Sequence, residues 1–224
     1  MPDPSISYGL KKVPAARNVE VENLKNRYLM QQVIVIHGGD SFKNYDEYIN
    51  SLKTWDVSLN KFRLRYDWKS TLQKELGDDF DVLNPQMPNK ANSKYNEWKI
   101  WFERIFPFLD DKVILIGHSL GGMFLAKYLA ENSFPKKIKS LHLVAAPHNS
   151  TADCDDFRLP DSLSNIEKQT DKIFLYQSKD DPIVPFTELA IFEKQLPTAK
   201  SQVFEDRGHF KQDKFLELVE NVKV

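Results

Sequence analysis

Residues 113–130 constrain this chain more than any other stretch. A short apolar run, Val113 to Ile116, leads into Gly117-His118-Ser119-Leu120-Gly121-Gly122, and Met123 to Ala130 reads as a helix. Strand, tight turn with a serine between glycines, then helix is the context that a nucleophile elbow requires. Such a turn holds its serine in a strained conformation with the hydroxyl at the end of the sheet. Side chains at the flanking glycine positions would collide with the neighbouring strand or helix. The plainer reading is a helix entry with Ser119 as its cap.

The rest of the chain alternates in a way that suits this unit. Val33 to Ile36, Phe80 to Leu83, Leu141 to Ala145, Ile173 to Tyr176 and Gln202 to Phe204 read as further strands. Tyr66 to Leu76, Asn96 to Phe106, Leu120 to Asn132, Phe186 to Gln195 and Lys214 to Val222 read as helices. The strand runs lack two-residue alternation, which marks strands covered on both faces. Strands alternating with helices predict an α/β three-layer sandwich, a mostly parallel sheet with helices on both faces and right-handed crossovers. In such sheets ligands bind beyond the carboxyl ends of the strands.

A length of 224 residues suffices for one such domain and is short for two. The expected division is a single domain over 30–224, preceded by an N-terminal extension over 1–29 that is either peripheral or poorly ordered. Within the extension, Val19 to Leu29 is a candidate short helix. Two stretches break the alternation, Lys43 to Leu64 and the Asp-rich segment from His148 to Ser164. Each is either a wall of the substrate site or a surface excursion. Trp98, Trp101 and Phe102, at helical spacing, are expected in the core.

Composition excludes several classes. A net charge of −1 offers no bulk attraction for nucleic acid, and the one basic cluster, Lys136, Lys137 and Lys139, reads as a solvated loop. Cys154 is the single cysteine, so neither an intramolecular disulfide nor a cysteine-rich zinc site can form. No segment has the length of a membrane span, and a cytoplasmic location is the default expectation.

A serine hydroxyl is a poor nucleophile unless a base reaches it and a third group orients that base. Asp180-Asp181-Pro182 follows the strand ending at Tyr176, and Gly208-His209-Phe210 follows the strand ending at Phe204. Serine, acid and histidine in that chain order, each just past a strand, match the order of α/β-hydrolases. His209 is the expected base. Of the other histidines, His142 lies inside a strand and reads as core, His37 and His118 read as structural supports, and His148 is the weaker rival. Asp181 is the expected acid, because Pro182 disfavours helical backbone there, with Asp180 as the alternative. The oxyanion donors are expected to be the backbone N–H of Leu120 and that of Gly39, with Asp40 the alternative to Gly39. Six of the eight glycines fall in these three turns, where close backbone approach is required.

On Val33 to Gly39, Asn84 to Asn89 ahead of Trp98, the elbow, the Asp181 turn and Gly208-His209-Phe210, the chain resembles the α/β-hydrolase superfamily. More closely, it resembles the small serine-hydrolase branch of retinoblastoma-binding protein 9 and its bacterial relatives. The resemblance implies a compact hydrolase without a large cap that acts on a small-molecule ester, thioester or amide through Ser119, Asp181 and His209, with no metal and no organic cofactor. A binding protein on a hydrolase scaffold, or an acyltransferase using the same residues, are the alternatives. The insertion at Lys43 to Leu64 and the extension before Met30 depart from the branch. Oligomeric state is left open.

Overall fold

Each apolar run expected as a strand enters one six-stranded parallel sheet. A computed structural model describes residues 30–63, 66–149, 155–170 and 172–224. The strands are β1 (Gln31–Ile36), β2 (Phe80–Leu83), β3 (Val113–His118), β4 (Ile138–Val144), β5 (Ile173–Ser178) and β6 (Lys200–Phe204), in the spatial order β2-β1-β3-β4-β5-β6. Among the described residues seven α-helices accompany them: α1 (Tyr45–Thr54), α2 (Trp68–Leu76), α3 (Tyr95–Glu103), α4 (Leu120–Glu131), α5 (Ser164–Glu167), α6 (Thr187–Gln195) and α7 (Leu216–Lys223). Gln31–Val224 form one compact unit. The expectations for residues 1–29, the candidate helix there included, and for Cys154 lie outside the described residues.

Successive side chains of a strand point to opposite faces, and both faces here are covered. Val33, Val35, Ile114 and Ile116 pack with Trp68, Leu72 and Leu76 of α2 and Leu218, Val219 and Val222 of α7. Ile34, Ile36, Val113 and Leu115 pack on the other side with Trp98 and Phe102 of α3, Phe124 and Leu125 of α4, and Leu189 and Phe192 of α6. This double burial is why the strands read as unbroken apolar runs.

The order of the strands locates the site. β1 pairs with both β2 and β3, so the chain leaves β1 toward one edge and returns at β3 to build toward the other. Ligands favour the carboxyl-end crevice at such a switch point. The register pairs Ile36 with Gly117, so the turn after β1 and the turn after β3 emerge side by side.

Two local expectations need correction, and a third stretch gains detail. Trp101 is exposed, whereas Trp98 and Phe102 are fully buried, because only two of the three positions face the sheet. Lys139 lies within β4 rather than in a loop. The stretch from Lys43 to Leu64 contains α1 and a one-turn 3₁₀ helix, Leu59–Phe62. Asn44 caps α1 by accepting from the Glu47 N–H, but no residue of α1 is buried, so no apolar stripe announced the helix.

Candidate active site

Ser119 sits between β3 and α4 with φ +56° and ψ −127°. That region is rarely occupied by a residue with a side chain and costs on the order of 1–3 kcal/mol. Two neighbours over-determine it. The Ser119 N–H donates to the Val144 carbonyl at 2.8 Å, and its own carbonyl accepts from Gly122 N at 2.8 Å. A Cβ on Gly117 would lie 2.5 Å from the Gly121 carbonyl oxygen, and one on Gly121 would run into the Ile36 and His37 carbonyls. The turn is thus pressed against β1 and α4, where only hydrogen fits. The Ser119 side chain makes no capping bond to α4, so the helix-cap reading does not describe it.

The acid and the imidazole meet across β5 and β6. His209 Nδ1 lies 2.8 Å from Asp181 Oδ2 and 3.1 Å from Oδ1, with both side chains buried. A carboxylate accepts, so Nδ1 carries the proton and Nε2 keeps its lone pair. Asp181 Oδ1 also accepts from the N–H groups of Ile183 (2.8 Å) and Val184 (3.1 Å), which fix the carboxylate in the turn after β5. Asp180 does something different. Its Oδ1 accepts from Ser178 Oγ at 2.6 Å and from Gly208 N at 2.8 Å, tying the histidine turn to the end of β5. These bonds hold its carboxyl below the usual carboxylate range, the Ser178 hydroxyl contributing most. The structure brings Asp181, and not Asp180, to the imidazole.

Ser119 and His209 line one cavity of about 1120 Å³. Among the described residues the Ser119 hydroxyl has no hydrogen-bond partner, and none joins it to His209. His209 is itself held from behind. The His118 ring packs 5.0 Å from it, centroid to centroid, and His118 Nε2 donates to the His209 carbonyl at 3.0 Å. Burial drives His118 well below the ordinary histidine range and keeps it neutral. With the proton on Nε2, its Nδ1 accepts from the Lys69 ammonium at 3.4 Å.

The turn after β1 supplies the other wall. A Cβ on Gly38 would stand 3.0 Å from Ser119 Cβ, so this backbone abuts the elbow. His37 Nε2 accepts from Met87 N at 2.9 Å, and its Nδ1–H donates to the Gly38 carbonyl at 2.6 Å. Burial lowers the pKa of His37 and favours this neutral form. A trans peptide points its C=O and N–H in opposite directions. Anchoring the Gly38 carbonyl therefore sets the direction of the Gly39 N–H, which has no partner among the described residues. The Asp40 N–H is committed to the Lys90 carbonyl at 2.8 Å and is unavailable as an oxyanion donor. The Leu120 N–H, at the first position of α4, has no intrahelical acceptor.

Of the remaining histidines, His142 lies in the core as expected, and the rival base His148 stands away from the cavity. His142 is fully buried between Ser140 Oγ and the Tyr176 hydroxyl, each 2.9 Å away. His148 is buried against Phe192, with its backbone N–H donating to the Glu188 carboxylate, and does not line the cavity. Among the described residues no group of three or more His, Cys, Asp or Glu side chains could hold a metal ion, and no helix is long and apolar enough to cross a membrane.

A family model described as serine hydrolase matches residues 63–223. The chain belongs to the serine hydrolase family. The matched region of this serine hydrolase contains Ser119, Asp181 and His209 and begins after the Gly39 turn. The chain is 28% identical over 165 residues to the serine hydrolase RBBP9 of Rattus norvegicus, an alignment covering 70% of this chain and 86% of the relative. Among solved structures, the ydeN gene product of Bacillus subtilis superposes with a TM-score of 0.67 at 19% identity, covering 87% of this chain and 97% of that one. The 2-hydroxy-6-oxo-6-phenylhexa-2,4-dienoate hydrolase of a Rhodococcus strain superposes with a TM-score of 0.60 at 13% identity, covering 87% and 91%. These likenesses establish the α/β-hydrolase fold.

Sequence reasoning missed the clamp that this serine hydrolase places behind its histidine turn. Trp68 N donates to the Gln212 carbonyl (2.9 Å), Trp68 Nε1 to that of Phe210 (3.0 Å) and Thr71 Oγ1 to that of Asp213 (2.8 Å). With the His118 bond, the first turn of α2 and the end of β3 secure four carbonyls in five residues. Spacing gives no signal of this, because the acceptors are backbone.

Proposed function

We propose that this chain hydrolyses carboxylic esters, or related thioester or amide bonds, through an acyl-enzyme formed on Ser119. His209 Nε2 takes the hydroxyl proton as Oγ attacks the carbonyl carbon. Asp181 keeps the imidazole in the Nδ1–H tautomer and stabilises the imidazolium that forms. The N–H groups of Leu120 and Gly39 receive the oxyanion. His209 then protonates the leaving group, and water, activated by the same imidazole, releases the acid. The cavity lining is a protein surface suited to a small-molecule acyl substrate.

The observation that carries this reading is the buried His209–Asp181 pair lining one cavity with a strained serine. A stored backbone strain and a buried carboxylate held against an imidazole are costly features that a pure binding scaffold does not need. A serine and imidazole not yet joined by a hydrogen bond are common in sites that tighten only around substrate. The test is labelling with a fluorophosphonate probe beside ester turnover. Folded protein should give an adduct at Ser119, and Ser119→Ala should lose both adduct and turnover. Full turnover by Ser119→Ala, or no adduct on the intact protein, would end the proposal.

A further inference from the structure

Beside the serine and the imidazole, the residues lining the same cavity include Lys69, Lys90 and Lys211, together with Asp40 and Asp67. One of the two carboxylates is already taken. Asp67 Oδ2 lies 2.5 Å from Lys69 Nζ. Lys69 is the unusual member, since its side chain retains only 16% of its exposure. Its ammonium rests 4.9 Å from the centroid of the Trp68 ring and carries three donors. One goes to Asp67 and one to His118 Nδ1 at 3.4 Å, while the third has no partner among the described residues. Burial lowers its pKa, as expected of a desolvated ammonium short of acceptors, and Lys211 adds to the lowering. Neither Lys90 nor Lys211 forms an ion pair or side-chain hydrogen bond among the described residues, although Lys211 acts electrostatically on Asp40.

Three lysines against two aspartates leave this lining with more ammonium than carboxylate groups beside the nucleophile. Its apolar and aromatic part (Val35, Trp55, Tyr66, Ala91 and Ile183) lies among these charged groups, so one cavity offers surface for a carbon chain and ammonium groups for an anion. Resting on the hydrolase reading above, we propose that the enzyme selects acyl substrates bearing a second, ionised carboxylate, received by the free N–H of Lys69 with Lys90 and Lys211 at the rim. An ammonium–carboxylate hydrogen bond in a partly desolvated site is among the stronger polar contacts available to a ligand. The two rim lysines would add attraction that salt screens.

The matched esters monomethyl adipate and methyl hexanoate share one carbon skeleton and differ only in a terminal carboxylate against a methyl. The intact enzyme should favour the adipate monoester in kcat/KM by about tenfold or more. Added salt should shrink that ratio, and so should Lys69→Gln, Lys90→Gln and Lys211→Gln, mainly through KM of the acid ester. The ratio separates recognition from positioning. If Lys69 only braced His118, Lys69→Gln would slow both esters alike and leave the ratio intact. The rim variants keep the test open should Lys69→Gln fold poorly. Equal turnover of both esters, or a ratio indifferent to all three substitutions, overturns the proposal and leaves the hydrolase reading standing. Failure to turn over either ester overturns it as well, and the hydrolase reading falls with it only if Ser119 also takes no fluorophosphonate.

Discussion

At Asp181 a single carboxylate faces an imidazole and two backbone donors, while its neighbour Asp180 faces a hydroxyl and the Gly208 N–H. The two should therefore separate cleanly on substitution. Asp181→Asn keeps the shape but presents an amide to Nδ1, which invites the wrong tautomer. Its turnover is expected to fall by about 10⁴-fold with KM little changed. Asp180→Asn leaves His209 its partner and weakens the tie between β5 and the histidine turn. Its main effect should be lower thermal stability, with turnover retained to within about tenfold. Steady-state kinetics and thermal melts of the two variants check this, and equal kinetic losses in both would refute the assignment. Gly121 offers a third residue-scale outcome. An alanine there would press its methyl into the Ile36 and His37 carbonyls, and the clash cannot relax because both belong to backbone. Gly121→Ala should unfold at markedly lower denaturant, or fail to accumulate as folded protein.

Among the elements, α2 links the sheet to the chemistry. Trp68 is fully buried, and its indole N–H donates to Phe210, next to the imidazole. Trp68→Phe keeps an aromatic ring there and removes the donor, leaving a buried carbonyl unpaired at about 1–3 kcal/mol. Turnover should drop more than the ester KM changes, because the loosened part is the histidine turn rather than the cavity wall. A variant that melts earlier but keeps its kcat would show that the clamp serves folding alone. This helix also illustrates what a sequence can disclose. Its apolar spacing at Trp68, Leu72 and Leu76 is plain, as are the runs Val33 to Ile36 and Val113 to Ile116, because burial on one stripe or on both faces writes itself into residue type. The elbow and the Asp181 and His209 turns were equally visible, since each needs particular residues at fixed spacing. The helix α1 buries nothing and so left no period to read. The bonds that aim His37 and His118 end on carbonyls of Gly38 and His209, and a carbonyl is present at every position, so nothing in the sequence singled them out.

Across the whole molecule, four histidines are kept neutral by burial: His37, His118, His142 and His148 each lie below the ordinary value. His142 is the one most deeply placed in the sheet. It drops from 6.5 to about 3, stacked on Phe174 and bonded to the hydroxyls of Ser140 and Tyr176. Asn221 Nδ2 donates to the Tyr176 hydroxyl at 3.0 Å, so that hydroxyl gives its proton to His142 Nδ1, and Nε2–H faces Ser140. The network closes only around an uncharged ring. As pH falls below 6.5 the unfolded chain takes up a proton at this position and the folded one does not, so folding loses free energy progressively until the pH nears 3. The other three histidines act in the same direction. Asp40 acts oppositely, because its raised carboxyl pKa favours folding on acidification, but it is one group against four. The urea midpoint should therefore decline steadily from pH 7 toward pH 4, through a range in which exposed carboxylates alone would have little effect until its acid end. His142→Gln should start from a lower midpoint at pH 7, having lost a fitted ring, yet decline less steeply, because its amide does not titrate. A variant whose midpoint falls with pH as steeply as that of the parent would place the acid sensitivity elsewhere, with His37 and His118 beside the cavity the next positions to substitute.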